Sequence, residues 1–179
     1  MTSTIEQVQY RLARAQDAAA IAALHAASWQ RTYRGRLPDG FLDNEVEQER
    51  ARVWHQRFTD PDYGPAFTIL AELDMALIGF AHTVPDEDAQ WGSFLDNLHV
   101  REGFKRRGIG RRLMAETAAL LLKRAHQRSL YLWVWDQNIN AQRFYAALGG
   151  VIGAREHSDF GGSGYRCRIS WADLGVLVI

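Results

Sequence analysis

One cysteine, Cys167, occurs among 179 residues. That excludes an internal disulfide framework and a cysteine-rich zinc site, and its alternating apolar surroundings suit a small buried hydrophobe. No apolar run approaches the roughly 20 residues that cross a bilayer. Met1-Thr2-Ser3-Thr4-Ile5-Glu6 lacks the basic-then-apolar order of a secretory signal. The expected location is therefore the cytoplasm, with no membrane partner. Charge of either sign is not in excess: 21 basic and 21 acidic residues give a formal net charge of zero. Without a global basic field, nucleic acid is not an expected partner. There is no internal repeat and no low-complexity linker, and the length suits a single domain over 1–179 with a full core.

The pattern of elements is mixed. Val8 to Ala13 alternate as a strand. Asp17 suits the N-cap of an Ala-rich helix through Ile21, Leu24 and Ala27 towards Trp29. Pro38-Asp39-Gly40 reads as a turn. Val46 to Phe58 reads as a helix, with Val46, Arg50, Val53, Trp54 and Phe58 on one face, stopped by Asp60 to Pro65. Phe67–Leu73 and Ala76–Val84 form a hairpin about Asp74-Met75, and Pro85 to Ala89 is an acidic connection. Trp91–Val100 is a longer strand. Ile109–Ala125 is a long helix, with Leu113, Leu120, Leu121 and Leu122 as its apolar face. Ser129–Val134 is a strand, and Ile139 to Leu148 a short helix ending at Gly149-Gly150. Val151–His157 and Tyr165–Trp171 close as a strand pair around Gly161-Gly162-Ser163-Gly164. This order implies an α/β sheet with helices on both faces. A right-handed crossover sets the strands at 91–100 and 129–134 side by side and parallel.

The most informative stretch is Phe94-Leu95-Asp96-Asn97-Leu98-His99-Val100, followed by Lys105-Arg106-Arg107-Gly108-Ile109-Gly110-Arg111-Arg112. A strand runs through a basic, glycine-punctuated loop into a helix. Glycines permit a sharp turn and close backbone approach, and a helix N-terminus presents unpaired N–H groups to an anion. A diphosphate is the natural occupant. The competing reading is a solvated basic surface or a short nucleic-acid patch.

These motifs resemble the GNAT superfamily of acyl-CoA-dependent N-acyltransferases over nearly the whole chain. Leu98-His99-Val100 with Lys105 to Gly110 is similar to the family's Gln/Arg-x-x-Gly-x-Gly/Ala pyrophosphate loop. Asn138-Ile139-Asn140-Ala141-Gln142-Arg143-Phe144-Tyr145 matches its Asn-x-x-Ala-x-x-Phe-Tyr helix. Ser28 to Pro38 resembles one bacterial subgroup. Two positions depart from the pattern. Lys105 keeps charge but loses the planar geometry of Arg. Gly150 replaces the usual aromatic, which predicts looser packing after Gly149.

The resemblance implies a mixed, mostly antiparallel central sheet of about seven strands with a central parallel pair, flanked by helices. It also implies an acetyl-CoA-dependent N-acetyltransferase in which a primary amine attacks directly in a ternary complex. Acetyl-CoA is then a co-substrate held by Leu98, His99, Val100, Lys105, Arg106, Arg107, Gly108, Ile109, Gly110, Arg111 and Asn138. Asn138 either bonds the pantetheine or caps its helix. Tyr145 is the expected general acid towards the thiolate, or alternatively an aromatic core residue. The family's central-strand glutamate falls at Phe94 here. Asp96 is the candidate base, with an N–H acceptor at a strand bulge or an ammonium anchor as equal alternatives. Trp29, Tyr33, Phe94 and Tyr165 are candidates for an aromatic acceptor wall, against core packing for Trp29. The segment from His157 to Tyr165 is expected to cover the acceptor side. No metal is expected, since His99 has no partner at ligand spacing. The acceptor is a small-molecule or peptide amine. Related enzymes are commonly homodimers, which makes a homodimer one expectation. The same fold acting on another acyl group or a hydroxyl, or as an acyl-CoA sensor without turnover, remains an alternative.

Overall fold

The computed structural model describes residues 7–159 and 163–178. In chain order these form β1 (Gln9–Leu12), α1 (Ala18–Thr32), α2 (Asp39–Asn44), α3 (Val46–Thr59), β2 (Phe67–Leu73), β3 (Ala76–Asp88) and β4 (Gly92–Val100). There follow α4 (Ile109–Arg124), β5 (Leu130–Trp135), α5 (Ile139–Ala147), β6 (Val151–Ser158) and β7 (Gly164–Trp171). They build one seven-stranded sheet in the order β1-β2-β3-β4-β5-β7-β6. Every neighbouring pair is antiparallel except β4–β5, which is parallel as the crossover rule requires.

Central strands are covered on both faces, which is why β2 reads as one apolar run rather than an alternation. Ile69 and Ala71 turn into the core under α4, with Ile78, Leu95, Leu113, Leu121, Leu130, Ile169 and Trp171. Leu70 turns the other way, to Ile21, Leu24, Trp54 and Phe80. In α4 the inward stripe is Ile109, Leu113, Met114, Thr117, Ala118 and Leu121, recurring at helical spacing. Leu120 and Leu122 flank it, partly buried.

Three expectations are corrected. Asp39-Gly40 does not turn but starts α2, whose Leu42 is buried with Ala26, Trp29 and Val46; burial overrides local turn chemistry. The acidic stretch after Val84 continues β3 to Asp88 through a register shift. Asp86 accepts from the amides of His126 and Gln127, and the backbone amide of Asp86 donates to Ser93 Oγ. Packing at Gly150 is tight: a Cβ there would lie 2.7 Å from both Ile169 and Trp171. The turn expected at Gly161-Gly162-Ser163-Gly164, and the covering segment from His157 to Tyr165, fall partly outside the described residues.

The α1/α3 face also encloses three histidines. His25 Nδ1 accepts from the Trp54 indole N–H at 3.0 Å, His82 Nδ1 pairs with Thr68 Oγ1 at 2.8 Å, and His99 Nδ1 with Ser28 Oγ at 2.8 Å. The Nε2 atoms of His25 and His82 are buried without a partner among the described residues. Desolvation, reinforced by nearby cations, holds His99 down to about 4, His82 to about 3 and His25 lower still. The unfolded chain takes up protons near the ordinary histidine value of about 6.5, which the native state refuses. These groups therefore stabilise above about pH 6.5, and that stability is lost as pH falls towards 4, at about 1.4 kcal/mol per pH unit for each histidine. Thermal unfolding at successive pH values should show this acid-side decline, and a flat midpoint from pH 7 to 5 would contradict it.

Candidate active site

The loop ahead of α4 turns several backbone N–H groups outward. Arg106 and Gly108 both adopt positive φ, at 60° and 80°. Left-handed residues on either side of Arg107 turn successive N–H groups into one concavity. Gly108 is the N-cap, and the first helical bond runs from Arg112 N–H to Gly108 O at 2.9 Å. The amides of Ile109, Gly110 and Arg111 therefore point out of the helix end. The two glycines serve different ends. A Cβ at Gly108 would meet nothing within 4 Å, so its need is conformational; one at Gly110 would come within 3.2 Å of the Phe144 ring. The absence of a side chain at Gly110 is what lets the Phe144 ring of α5 come this close to the loop.

The basic side chains are not equivalent. Lys105 is bridged to Glu102 at 2.8 Å and Arg112 to Glu116 at 2.6 Å. The Arg107 guanidinium lies 5.5 Å over Phe104. Arg106 and Arg111 are exposed at the helix start.

Beside the loop the sheet opens. β4 and β5 pair only at Ser93↔Leu130 and Phe94↔Tyr131. Beyond that β4 keeps to β3 while β5 keeps to β7, so the facing edges diverge. Arg101 N–H donates to Ile78 O at 2.8 Å. Backbone groups alternate along an antiparallel ladder, so those of His99 turn to β3 while those of Leu98 and Val100 turn into the gap. Of the three strand residues predicted to present backbone to a ligand, His99 is thus the exception. Its side chain sits on the α1 face with Ser28.

At the mouth of this gap β4 carries a bulge. Thr83 pairs with Leu95 but His82 with Asn97, leaving Asp96 as the extra residue. A bulge re-aims side chains and opens a strand. Here it turns Asp96 and Asn97 to the same partner. Arg57 Nη2 donates to Asp96 Oδ2 at 2.5 Å and Nη1 to Asn97 Oδ1 at 2.9 Å. Its guanidinium also lies 4.7 Å over Trp54. Arg57 was not legible as a site residue, because a basic side chain on an amphipathic helix reads as solvated.

On the opposite face α5 supplies Tyr145 and Asn138. Asn138 Oδ1 accepts from Ala141 N–H at 3.1 Å, so the residue caps its helix and leaves its amide NH₂ available. Tyr145 is 9% exposed, packed edge-on to Phe144 at 5.0 Å and Trp171 at 6.0 Å. Its hydroxyl has no hydrogen-bond partner among the described residues, and burial pushes the phenol well above its usual range. It stays protonated, as a proton donor must.

The four aromatics predicted as one wall divide. Phe94 stacks on Tyr131 at 5.0 Å at the point where β4 and β5 part. Tyr33 lies 5.1 Å from Trp29, and burial pushes its phenol up, opposed by the neighbouring Trp135 indole. Trp29 is 7% exposed in the α1–α2 core, with the Arg50 guanidinium 4.1 Å over its ring. Tyr165 alternates with Cys167, Ile169 and Trp171, which face α4 and α5. It is 45% exposed on that face, beneath Arg155, away from Phe94 and Tyr33.

Among the described residues no group of His, Cys, Asp and Glu could hold a metal ion, and no helix is long and apolar enough to cross a membrane. The arrangement is a slot through the sheet. An anion cradle and a protonated phenol lie on one face, and an aromatic mouth with a carboxylate lies on the other.

Residues 21–149 match the model of the acetyltransferase (GNAT) family. The uncharacterized N-acetyltransferase YuaI of Bacillus subtilis (strain 168) is 27% identical over 173 residues, covering 95% of this chain and 96% of the relative. PaiA N-acetyltransferase from Thermoplasma acidophilum, solved in complex with coenzyme A, shares the fold with a TM-score of 0.70 at 18% identity. That match covers 92% of this chain and 99% of the other. The structure of yncA from Salmonella typhimurium with its cofactor acetyl-CoA gives a TM-score of 0.67 at 17% identity, covering 93% and 94%.

Proposed function

Because the chain belongs to the acetyltransferase (GNAT) family, we propose that it transfers the acetyl group of acetyl-CoA to a primary amine by direct attack in a ternary complex. The observation that carries this reading is the divergence of β4 from β5 beside the glycine loop. It opens backbone groups to an extended thioester arm within reach of an anion cradle. The residues fit that donor: the Gly108 side of the loop is open, and the amides of Ile109, Gly110 and Arg111 point outward to receive a diphosphate. When bound, acetyl-CoA supplies an activated thioester carbonyl.

The chain then has four tasks. The loop amides and the Arg106 and Arg111 charges hold the diphosphate. Leu98 and Val100 offer backbone groups to the pantetheine arm, and one amide aimed at the carbonyl oxygen stabilises the oxyanion by about 3 kcal/mol. Asp96, fixed by Arg57, faces the amine and takes the proton it sheds on attack. Tyr145 returns a proton to the departing thiolate. Atoms balance without a covalent enzyme intermediate, and Cys167 is buried in the core.

The test is release of free thiol from acetyl-CoA across an amine library, repeated with Asp96→Asn. Wild-type protein should release thiol in an amine-dependent way. The variant should lose about a hundredfold or more in kcat, with the KM for acetyl-CoA little changed. A variant that keeps full kcat would limit Asp96 to the bulge.

A further inference from the structure

The mouth on the α1/α3 face carries a row of guanidinium–indole stacks. Arg36 lies 4.0 Å over Trp135, Arg166 4.2 Å over Trp133 and Arg168 3.5 Å over Trp91. Trp133 and Trp135 alternate with Leu132 and Val134, which enter the core under α4, so the indoles face away from α4 and α5. All stay half-buried. Stacking uses the flat face of a guanidinium and leaves its in-plane N–H fork free for a carboxylate.

The three arginines differ in what answers them. Arg166 Nε donates to Glu156 at 2.8 Å. Arg36 has no ion-pair partner among the described residues. Nor does Arg168, whose Nε is buried without an acceptor. The seat of Arg36 is built. A Cβ at Gly164 would come within 3.0 Å of its Nη1 and 3.3 Å of the Trp135 ring, so a glycine there lets the guanidinium lie flat. Trp135 and Asp96 face the same side of the sheet, on the two strands that part beyond Phe94 and Tyr131. Arg50, stacked on Trp29, has its guanidinium engaged by Glu49.

A cation with no ion-pair partner among the described residues and a carboxylate thus share one face at the acceptor mouth. We infer that the acceptor is a small amine that also carries a carboxylate, which Arg36 binds while the amine faces Asp96. This rests on the acetyl-transfer reading. A purely cationic acceptor would meet Arg36 with repulsion, whereas a carboxylate completes its hydrogen bonds. Arg168, stacked on Trp91, extends the same positive face.

The experiment compares matched acceptors that differ only in charge: β-alanine, γ-aminobutyrate and ε-aminocaproate against their carboxamides, with spermidine as the cationic comparison. Thiol release should favour at least one carboxylate over its amide by about tenfold or more in kcat/KM. Arg36→Gln should collapse that ratio to near unity through the KM of the carboxylate. Arg36→Lys should restore it only in part, since a point charge replaces a fork. Better turnover of the amides or of spermidine by the wild-type protein overturns the inference and leaves acetyl transfer standing, as does a preference that survives Arg36→Gln. Thiol release with no amine of any charge overturns acetyl transfer and this inference together.

Discussion

Glutamate at both Gly108 and Gly110 should abolish acetyl-CoA binding. Gly108 sits at φ 80° as the N-cap of α4, a conformation that costs a residue with a Cβ about 1 kcal/mol or more. At Gly110 the new side chain must displace the Phe144 ring by a few tenths of an ångström. Neither cost unfolds the chain, because acidic groups in the first turn of a helix are otherwise favourable. What they remove is the cradle: two carboxylates occupy the concavity and repel a diphosphate. Like-charge juxtaposition of this kind costs several kcal/mol, about a thousandfold in affinity. Calorimetric titration should show no binding while the helical circular dichroism is retained. Unaltered binding by the folded variant would move the donor site elsewhere.

Tyr145→Phe should separate binding from chemistry. The phenol hydroxyl has no partner among the described residues and lies in a buried aromatic cluster. Removing it leaves no stranded donor or acceptor, so stability should be unchanged or slightly higher. Acetyl-CoA affinity should also be unchanged. Turnover should fall by about a hundred- to ten-thousandfold, the scale of a positioned general acid. The loss should be largest towards neutral pH, where the leaving sulfur ends as the thiol, its ordinary pKa being near 8.5, rather than as a free thiolate. Because burial raises the Tyr145 phenol, its ionisation should not limit the wild-type rate below about pH 10. The same shift leaves stability untouched below about pH 10 and lowers it above that, because the unfolded phenol ionises there while the buried one does not, until pH reaches the raised value. Full turnover by the variant would reduce Tyr145 to a core aromatic.

Much of the fold was legible because each element carries several concordant signals. Ile109 to Arg124 has helical spacing, Gly108 before it and basic residues at its end. Gly149 closes α5 with a left-handed turn, its amide donating to Ala146 O and that of Gly150 to Tyr145 O. Misreadings arose where tertiary contacts outweighed local chemistry. Leu42 draws Asp39-Gly40 into α2. Asp86, held by backbone amides across the sheet edge, extends β3. Tyr165 was grouped with aromatics of the other face, although its alternation with Cys167 fixes its side.

The backbone features of the proposed donor half were readable because they leave a mark in sequence: glycines where φ is positive or a ring approaches, and an Asn cap ahead of a Phe-Tyr pair. The acceptor half was not. Arg57 and Arg36 gain their roles from Asp96, Asn97 and Trp135, all far off in the chain, and an isolated arginine carries no spacing that predicts such a partner. The bulge at Asp96 depends on a register shift against β3 that no single strand reveals.

The most direct measurement is product stoichiometry. Purified protein, acetyl-CoA and carboxylate-bearing amines are incubated together, and acetylated amine and free coenzyme A are quantified by mass spectrometry. The two should appear in equal amounts, only when both substrates are present, and should vanish with Gly108→Glu/Gly110→Glu. Coenzyme A released without any acetylated amine, or acetylated amine formed equally by the glycine variant, would contradict acetyl transfer through this site.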